Sequence, residues 1–288
     1  MDQIQPGSKM GLALRAGVYV FFAYGGFVLF PMLIQPLGEY FLAVVLGVFA
    51  AAAVANALVL RIYERGRLAD IGLQWNHASA RNLLVGAAGG VGAVCLIFIP
   101  ALILGLGELQ PDPDYPGGWQ QALYVSLILL FGAVGEEMLF RGYAFQILLK
   151  GIGPFATILP LSVLFGLAHS ANLSADWLST TNTIGWGVML GVAFLRSGDL
   201  WLPIGLHYGW NWALPVFGVN VSGFRMGVTG HSMHWNISDV WSGGAYGPEG
   251  GLFTSIVLGA LAVYLWKAPI EGQEAFLLRR PEEAPPED

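Results

Sequence analysis

The sequence predicts an all-α, polytopic membrane protein, a bundle of about eight transmembrane helices with both chain ends in the cytoplasm. Three observations carry this. Hydrophobic residues make up 55% of the 288 and charged residues only 11%, where a soluble domain carries about 25% charged. The apolar residues fall in eight runs spread from end to end, each close to the roughly 20 residues that cross a bilayer, and no stretch is left for a soluble domain. Finally, Lys and Arg collect in alternate loops, as the positive-inside rule requires.

The runs are 12–34, 41–62, 83–107, 119–149, 153–171, 178–196, 200–218 and 251–267. The first follows a short polar N-terminus bearing Lys9 and Arg15. It is too long for the apolar region of a cleaved signal and reads as an uncleaved helix. Arg61, Arg65, Arg67 and Arg81 crowd the second loop, Lys150 the fourth and Arg196 the sixth, and Lys267, Arg279 and Arg280 follow the last run. The first, third and fifth loops hold no Lys or Arg, only Glu39, Glu108, Asp112, Asp114 and Asp176. The basic loops and both termini are therefore expected inside. Arg225 alone departs from the pattern, in a seventh loop (about 219–250) rich in Gly and Trp that is expected to cap the outer side. The third loop, 111–118, is turn chemistry. The sixth run is the most dilute, because Thr180, Thr181, Asn182 and Thr183 open it. Forty glycines suit close helix packing in lipid. One transmembrane domain over 1–270 is expected, followed by an acidic, Pro-rich, disordered cytoplasmic tail over 271–288.

Several function classes drop out. No basic stripe points to nucleic acid. The single cysteine, Cys95, rules out an intrachain disulfide and a Cys-rich metal cage. Its neighbours Val94 and Leu96 offer no base, so it reads as a packed thiol. His231 and His234 have a metal-compatible spacing but no acidic or cysteine partner beside them.

What the composition does not dilute is a cluster of charge inside the fourth run, Gly135-Glu136-Glu137-Met138-Leu139-Phe140-Arg141. A charge near the bilayer centre costs about 2.5–3.5 kcal/mol on insertion scales, so such groups face protein or a wet cavity. Glu137 and Arg141, four residues apart, lie about 40° apart around a helix and can pair. Glu136 points away from Arg141 and needs a partner from elsewhere. If the fourth and fifth runs turn near Gly151–Gly153, Glu136 lies 15 residues before the turn and His169 16 after it, which puts them at nearly equal depth. Phe165, one turn from His169, is expected to position it by packing. In the seventh run His207 and Asn211 share one stripe, suited to polarising a carbonyl oxygen. A carboxylate with a histidine can hold a water and take its proton. Together these groups are equipment for hydrolysing an amide by water, without an acyl-enzyme. Two histidines and a carboxylate (Glu136, His169, His207) also form a known zinc set, so zinc stays open and no metal is assigned. Other intramembrane hydrolase motifs (Gly-x-Ser-Gly, His-Glu-x-x-His, Gly-x-Gly-Asp) are missing.

Glu-Glu-x-x-x-Arg (Glu136, Glu137, Arg141), Phe-x-x-x-His (Phe165, His169) and His-x-x-x-Asn (His207, Asn211) stand in this order on three of the last five runs. The set resembles the three motifs of the CPBP family, which holds the type II CAAX prenyl endopeptidases and the bacterial Abi proteins linked to bacteriocin immunity. The resemblance covers about 136–211. It implies an intramembrane endopeptidase of the glutamate type in a bacterial inner membrane, acting on a membrane-associated peptide or protein. By similarity, Glu136 and His169 would activate water, His207 and Asn211 would form the oxyanion site, and Glu137 and Arg141 would shape the site or touch substrate. The family was long described as metalloproteases. A non-catalytic immunity or scaffold protein of the same fold is the alternative. A transporter is third, weakened by the lack of an internal repeat.

Overall fold

The computed structural model describes residues 9–278, and 74% of the chain is helical. Ten helices follow in order: α1 (Lys9–Ile34), α2 (Tyr40–Val59), α3 (His77–Ile103), α4 (Trp119–Arg141), α5 (Tyr143–Ile152), α6 (Pro154–His169), α7 (Trp177–Ser197), α8 (Trp201–Val216), the single-turn α9 (Asp239–Ser242) and α10 (Leu252–Lys267). A π turn, Leu60–Glu64, prolongs α2. Each expected apolar run falls on a helix. Five helical stretches are long and apolar enough to cross a membrane: α1, α2 with its π turn, α3, α4 with α5, and α7. The count of eight spans is not reached by that measure. Helices α6, α8 and α10 have 16 residues each, about 24 Å at 1.5 Å per residue, short of the roughly 30 Å hydrocarbon core.

The fourth run, expected as one helix over 119–149, is broken at Gly142. The physical cause is side-chain competition for the backbone. Asn56 on α2 donates to the carbonyl of Met138 (2.9 Å) and accepts from the amide of Tyr143 (2.7 Å), and the Tyr19 hydroxyl donates to the carbonyl of Leu139 (2.7 Å). Those groups would otherwise close the helical ladder across Gly142. A side chain at Gly142 would collide with the Met138 carbonyl and Asn56.

Two short strands, β1 (Gly107–Pro111) and β2 (His231–Trp235), pair antiparallel with Leu109 opposite Met233. The pairing joins the third and seventh loops into one cap at one end of the bundle. His231 and His234 belong to this strand, opposite Pro111 and Glu108, so their spacing is strand geometry.

Helices α3 and α8 cross closely because each presents two glycines four apart. A Cβ added at Gly86, Gly90, Gly205 or Gly209 would lie under 3.0 Å from backbone of the facing helix. That close approach turns the opposite stripe of α8, which carries His207, toward α4. Cys95, on α3, is a free, partly buried thiol.

The expected tail begins later than residue 271. Glu271–Leu278 pack back onto the body: Ala275 and Leu277 are buried, Gln273 donates its amide to the Ser197 carbonyl, and Lys150 donates to the Leu277 carbonyl. Residues 279–288, like 1–8, lie outside the described residues, and the expectations for both termini fall there.

Candidate active site

Of the charged cluster on α4, Glu136 faces a cavity of about 600 Å³ whose lining also includes Phe165, His169, His207 and Asn211. Helix α4 runs beside α8, and α6 brings His169 in as its last residue. Glu136 Oε2 lies 3.7 Å from His169 Nε2 and 3.9 Å from His207 Nε2. The three side chains thus converge, although they come from residues up to 71 positions apart.

Hydrogen bonds on the far side of each ring set its orientation. His169 Nδ1 is 2.8 Å from the carbonyl oxygen of Phe165. A carbonyl only accepts, so Nδ1 carries the hydrogen and Nε2 is the nitrogen that faces Glu136. The Phe165 ring packs 4.7 Å from the His169 ring and 6.2 Å from that of His207, the positioning contact expected from the sequence. His207 Nδ1 lies 2.9 Å from Glu137 Oε1 and donates to it. Its Nε2 likewise faces Glu136.

Glu137 and Arg141 pair at 3.3 Å, as their spacing predicts, and both are fully buried. The Arg141 guanidinium also donates to the Gly187 carbonyl on α7 (2.9 Å) and sits 4.9 Å from the Phe165 ring centre. What the sequence did not reveal is the second attachment of Glu137. It accepts from both Arg141 and His207, so it ties the ion pair to the imidazole that faces Glu136. The two glutamates, adjacent in the chain, therefore occupy different settings: Glu137 is sealed in protein, while Glu136 opens on the cavity. One oxygen of each, Oε2, is shielded and receives no hydrogen bond from the described residues.

Asn211 lines the same cavity one turn beyond His207. No hydrogen bond holds its amide among the described residues, which leaves it free to meet a ligand. A further carboxylate, Glu249, reaches the cavity from the loop before α10. It accepts from the Trp210 indole (3.1 Å) and from the Ser222 amide and hydroxyl (2.5 and 2.8 Å). The only sequence signal for it is an acid set between turn residues, Gly247-Pro248-Glu249-Gly250-Gly251, just before an apolar run.

With this geometry in place, the match to known proteins is specific. Residues 118–213 match the family model of type II CAAX prenyl endopeptidases, Rce1-like. The matched third of the chain begins one residue before α4 and ends within α8, so it spans all three motifs. The resemblance read from Glu136, Glu137, Arg141, Phe165, His169, His207 and Asn211 is thus to the same family. No curated protein and no solved structure matches the chain. The Rce1-like endopeptidases are proteases, and the apolar helices make this chain an integral membrane protein.

A metal is the other group this family suggests. Zinc bound at about 2.0–2.2 Å in tetrahedral geometry holds its donors about 3.4 Å apart. The donors here are 3.7 and 3.9 Å apart, and among the described residues no three His, Cys, Asp or Glu side chains form a metal-holding group. The donor types suit zinc, and their separations are a few tenths of an ångström wider than a bound ion would hold them.

Proposed function

We propose that this protein is an intramembrane endopeptidase that hydrolyses a peptide bond of a membrane-associated peptide or protein with a water activated by Glu136 and His169. The observation that carries this reading is the convergence of Glu136 Oε2 on the Nε2 atoms of His169 and His207 inside one cavity. A point about 2.8 Å from all three atoms, the length of a good hydrogen bond, is compatible with both separations. A water there would face one carboxylate oxygen and one imidazole lone pair, either of which can take its proton.

The chemistry then divides among the side chains. Glu136 accepts the proton as the water attacks the scissile carbonyl, and it returns that proton to the leaving amine. His169, oriented by the Phe165 carbonyl, holds the water. His207 and Asn211 meet the developing oxyanion. Asn211 offers its amide N–H. His207 can donate from Nε2 only as an imidazolium, because its Nδ1 hydrogen is committed to Glu137; Glu137 lies in place to balance that charge, and Arg141 fixes Glu137. No step needs a covalent intermediate or a metal.

The test is turnover of a membrane-embedded reporter peptide by purified protein in proteoliposomes. Glu136→Gln keeps size and most contacts but cannot accept a proton, and should lower turnover by about 10²- to 10⁴-fold, the usual weight of a general base, with the thermal midpoint unchanged. Wild-type turnover should persist in 1,10-phenanthroline. Undiminished cleavage by Glu136→Gln would overturn the reading. Loss of activity to the chelator, restored by zinc, would overturn its metal-free form.

A further inference from the structure

The two ends of the bundle differ, and the difference bears on where a substrate comes from. One end carries the basic residues. Arg81 bonds the Pro269 carbonyl and Glu271, Lys150 the Leu277 carbonyl, and Arg196 the Trp266 carbonyl. The Leu200 amide donates to the Gly72 carbonyl in the Arg-rich second loop. These contacts gather the second, fourth and sixth loops and the segment after α10 at a single end, which the positive-inside rule assigns to the cytoplasm.

That end is also closed. Between it and Glu136 lie Ile71, Met138, Tyr143, Phe194, Leu200 and Ile204, each at most 1% exposed. Native cores pack at crystal-like density and leave no path for a peptide.

The cavity lining runs to the opposite end, where it includes Ala171, Asn172 and Leu173 from the α6–α7 connection and Ser222 and Phe224 from the seventh loop; Leu173 is 67% exposed. Along its side the lining includes Phe27 of α1 and Val44 and Val48 of α2. His169 ends α6 at that opposite end. Gly135 packs against Phe49 of α2, nine residues past Tyr40 and 15 before Glu64, which along α2 is about 13 Å from the Tyr40 end and about 22 Å from the Glu64 end. Along α8, His207 lies six residues from Trp201 and nine from Val216. Tyr40 and Trp177 stand exposed at the opposite end, where interfacial aromatics collect. Arg225, the one Lys or Arg at that end among the described residues, is engaged with Asp112.

We propose that the cavity is served from the extracytoplasmic face, so that its substrate is a segment presented on that side of the membrane. The cleavage itself rests on the protease reading above; the direction of access does not. A peptide chain entering past Leu173 would meet Phe224 and then Asn211 before Glu136. A C-terminus presented from the cytoplasm would meet the packed end.

Cysteine accessibility tests this without reference to activity. In a Cys95→Ser background, Leu173→Cys (rim), Ala168→Cys (cavity wall beside His169) and His77→Cys (basic end) are made in right-side-out vesicles. A membrane-impermeant maleimide reads the rim and basic end, and a small, charged methanethiosulfonate reads the cavity wall. Leu173→Cys and Ala168→Cys should label at least 10-fold faster than His77→Cys, with the order reversed in inverted vesicles. Faster labelling of His77→Cys in right-side-out vesicles would overturn the orientation. Labelling of His77→Cys alone in inverted vesicles, with Ala168→Cys silent from both sides, would overturn the aqueous path. If labelling is as expected but Glu136→Gln still cleaves, the protease reading fails and the access path stands.

Discussion

Glu136 and Glu137 differ by one position and by almost everything else. Glu137 is enclosed and shared between a guanidinium and an imidazole, so removing it strands two groups that depend on it. Breaking one side of a buried pair costs about 3–5 kcal/mol, because the remaining charge has no solvent. Glu137→Ala should therefore lower unfolding stability by about that amount in a denaturant titration in micelles, and turnover with it. Glu136→Gln, at a cavity wall with no donor to lose, should leave the same titration within about 0.5 kcal/mol, the range of substitutions away from such features. A stable Glu137→Ala would show that Arg141 and His207 do not rely on it.

At the scale of elements, the site is set by how helices approach rather than by what they carry. Helix α8 holds His207 between Gly205 and Gly209, and those glycines lie on the backbone of α3 near Leu83 and Ala87. Any side chain there pushes α8 off α3 and moves His207 with it. Gly209→Val should cost about 1–3 kcal/mol, the usual weight of overpacking, and should lower turnover more than 10-fold even at temperatures where the fold persists. An active, stable Gly209→Val would mean that the crossing is looser than its geometry implies. The break at Gly142 works similarly. It lets α5 turn away after Arg141, so that α6 can return His169 to the depth of Glu136.

For the molecule as a whole, the closed end is latched by a buried polar group outside the spans. Asp199, in the turn between α7 and α8, accepts from Asn82 (2.8 Å), from the Gln273 side chain and from the Trp201 and Leu202 amides (3.1 and 3.2 Å). Burial is the largest influence on its carboxyl and holds it above the usual carboxylate range, with those hydrogen bonds pulling the other way. A carboxyl whose folded pKa is raised binds its proton more tightly in the folded state. Its contribution to stability is full below its unfolded value of about 3.9 and is lost as pH rises through the folded value. The stability gap between wild type and Asp199→Ala should thus be wider at pH 4 than at pH 7.5, as read by thermal midpoints at both. A gap that widens with pH would show that the donors outweigh burial.

Membrane residence follows from composition alone, because a chain with so few charges can be solvated only by lipid. Composition and spacing also single out the candidate site residues, since ionisable groups in an apolar run need a partner and helical periodicity tells which neighbours share a face. The equal depth of Glu136 and His169 followed from counting residues to a turn. Contacts between residues 40 or 70 apart were a different matter. That Glu137 serves His207, that Glu249 enters the same cavity, that Asn56 interrupts the fourth run and that the residues after 270 fold back all depend on helix rotation and crossing. Those are set by which surfaces pack together, and no local period along the chain records them. The open face of the cavity belongs with these: charge distribution orients the bundle, but only the packing of its two ends decides which one a substrate can enter.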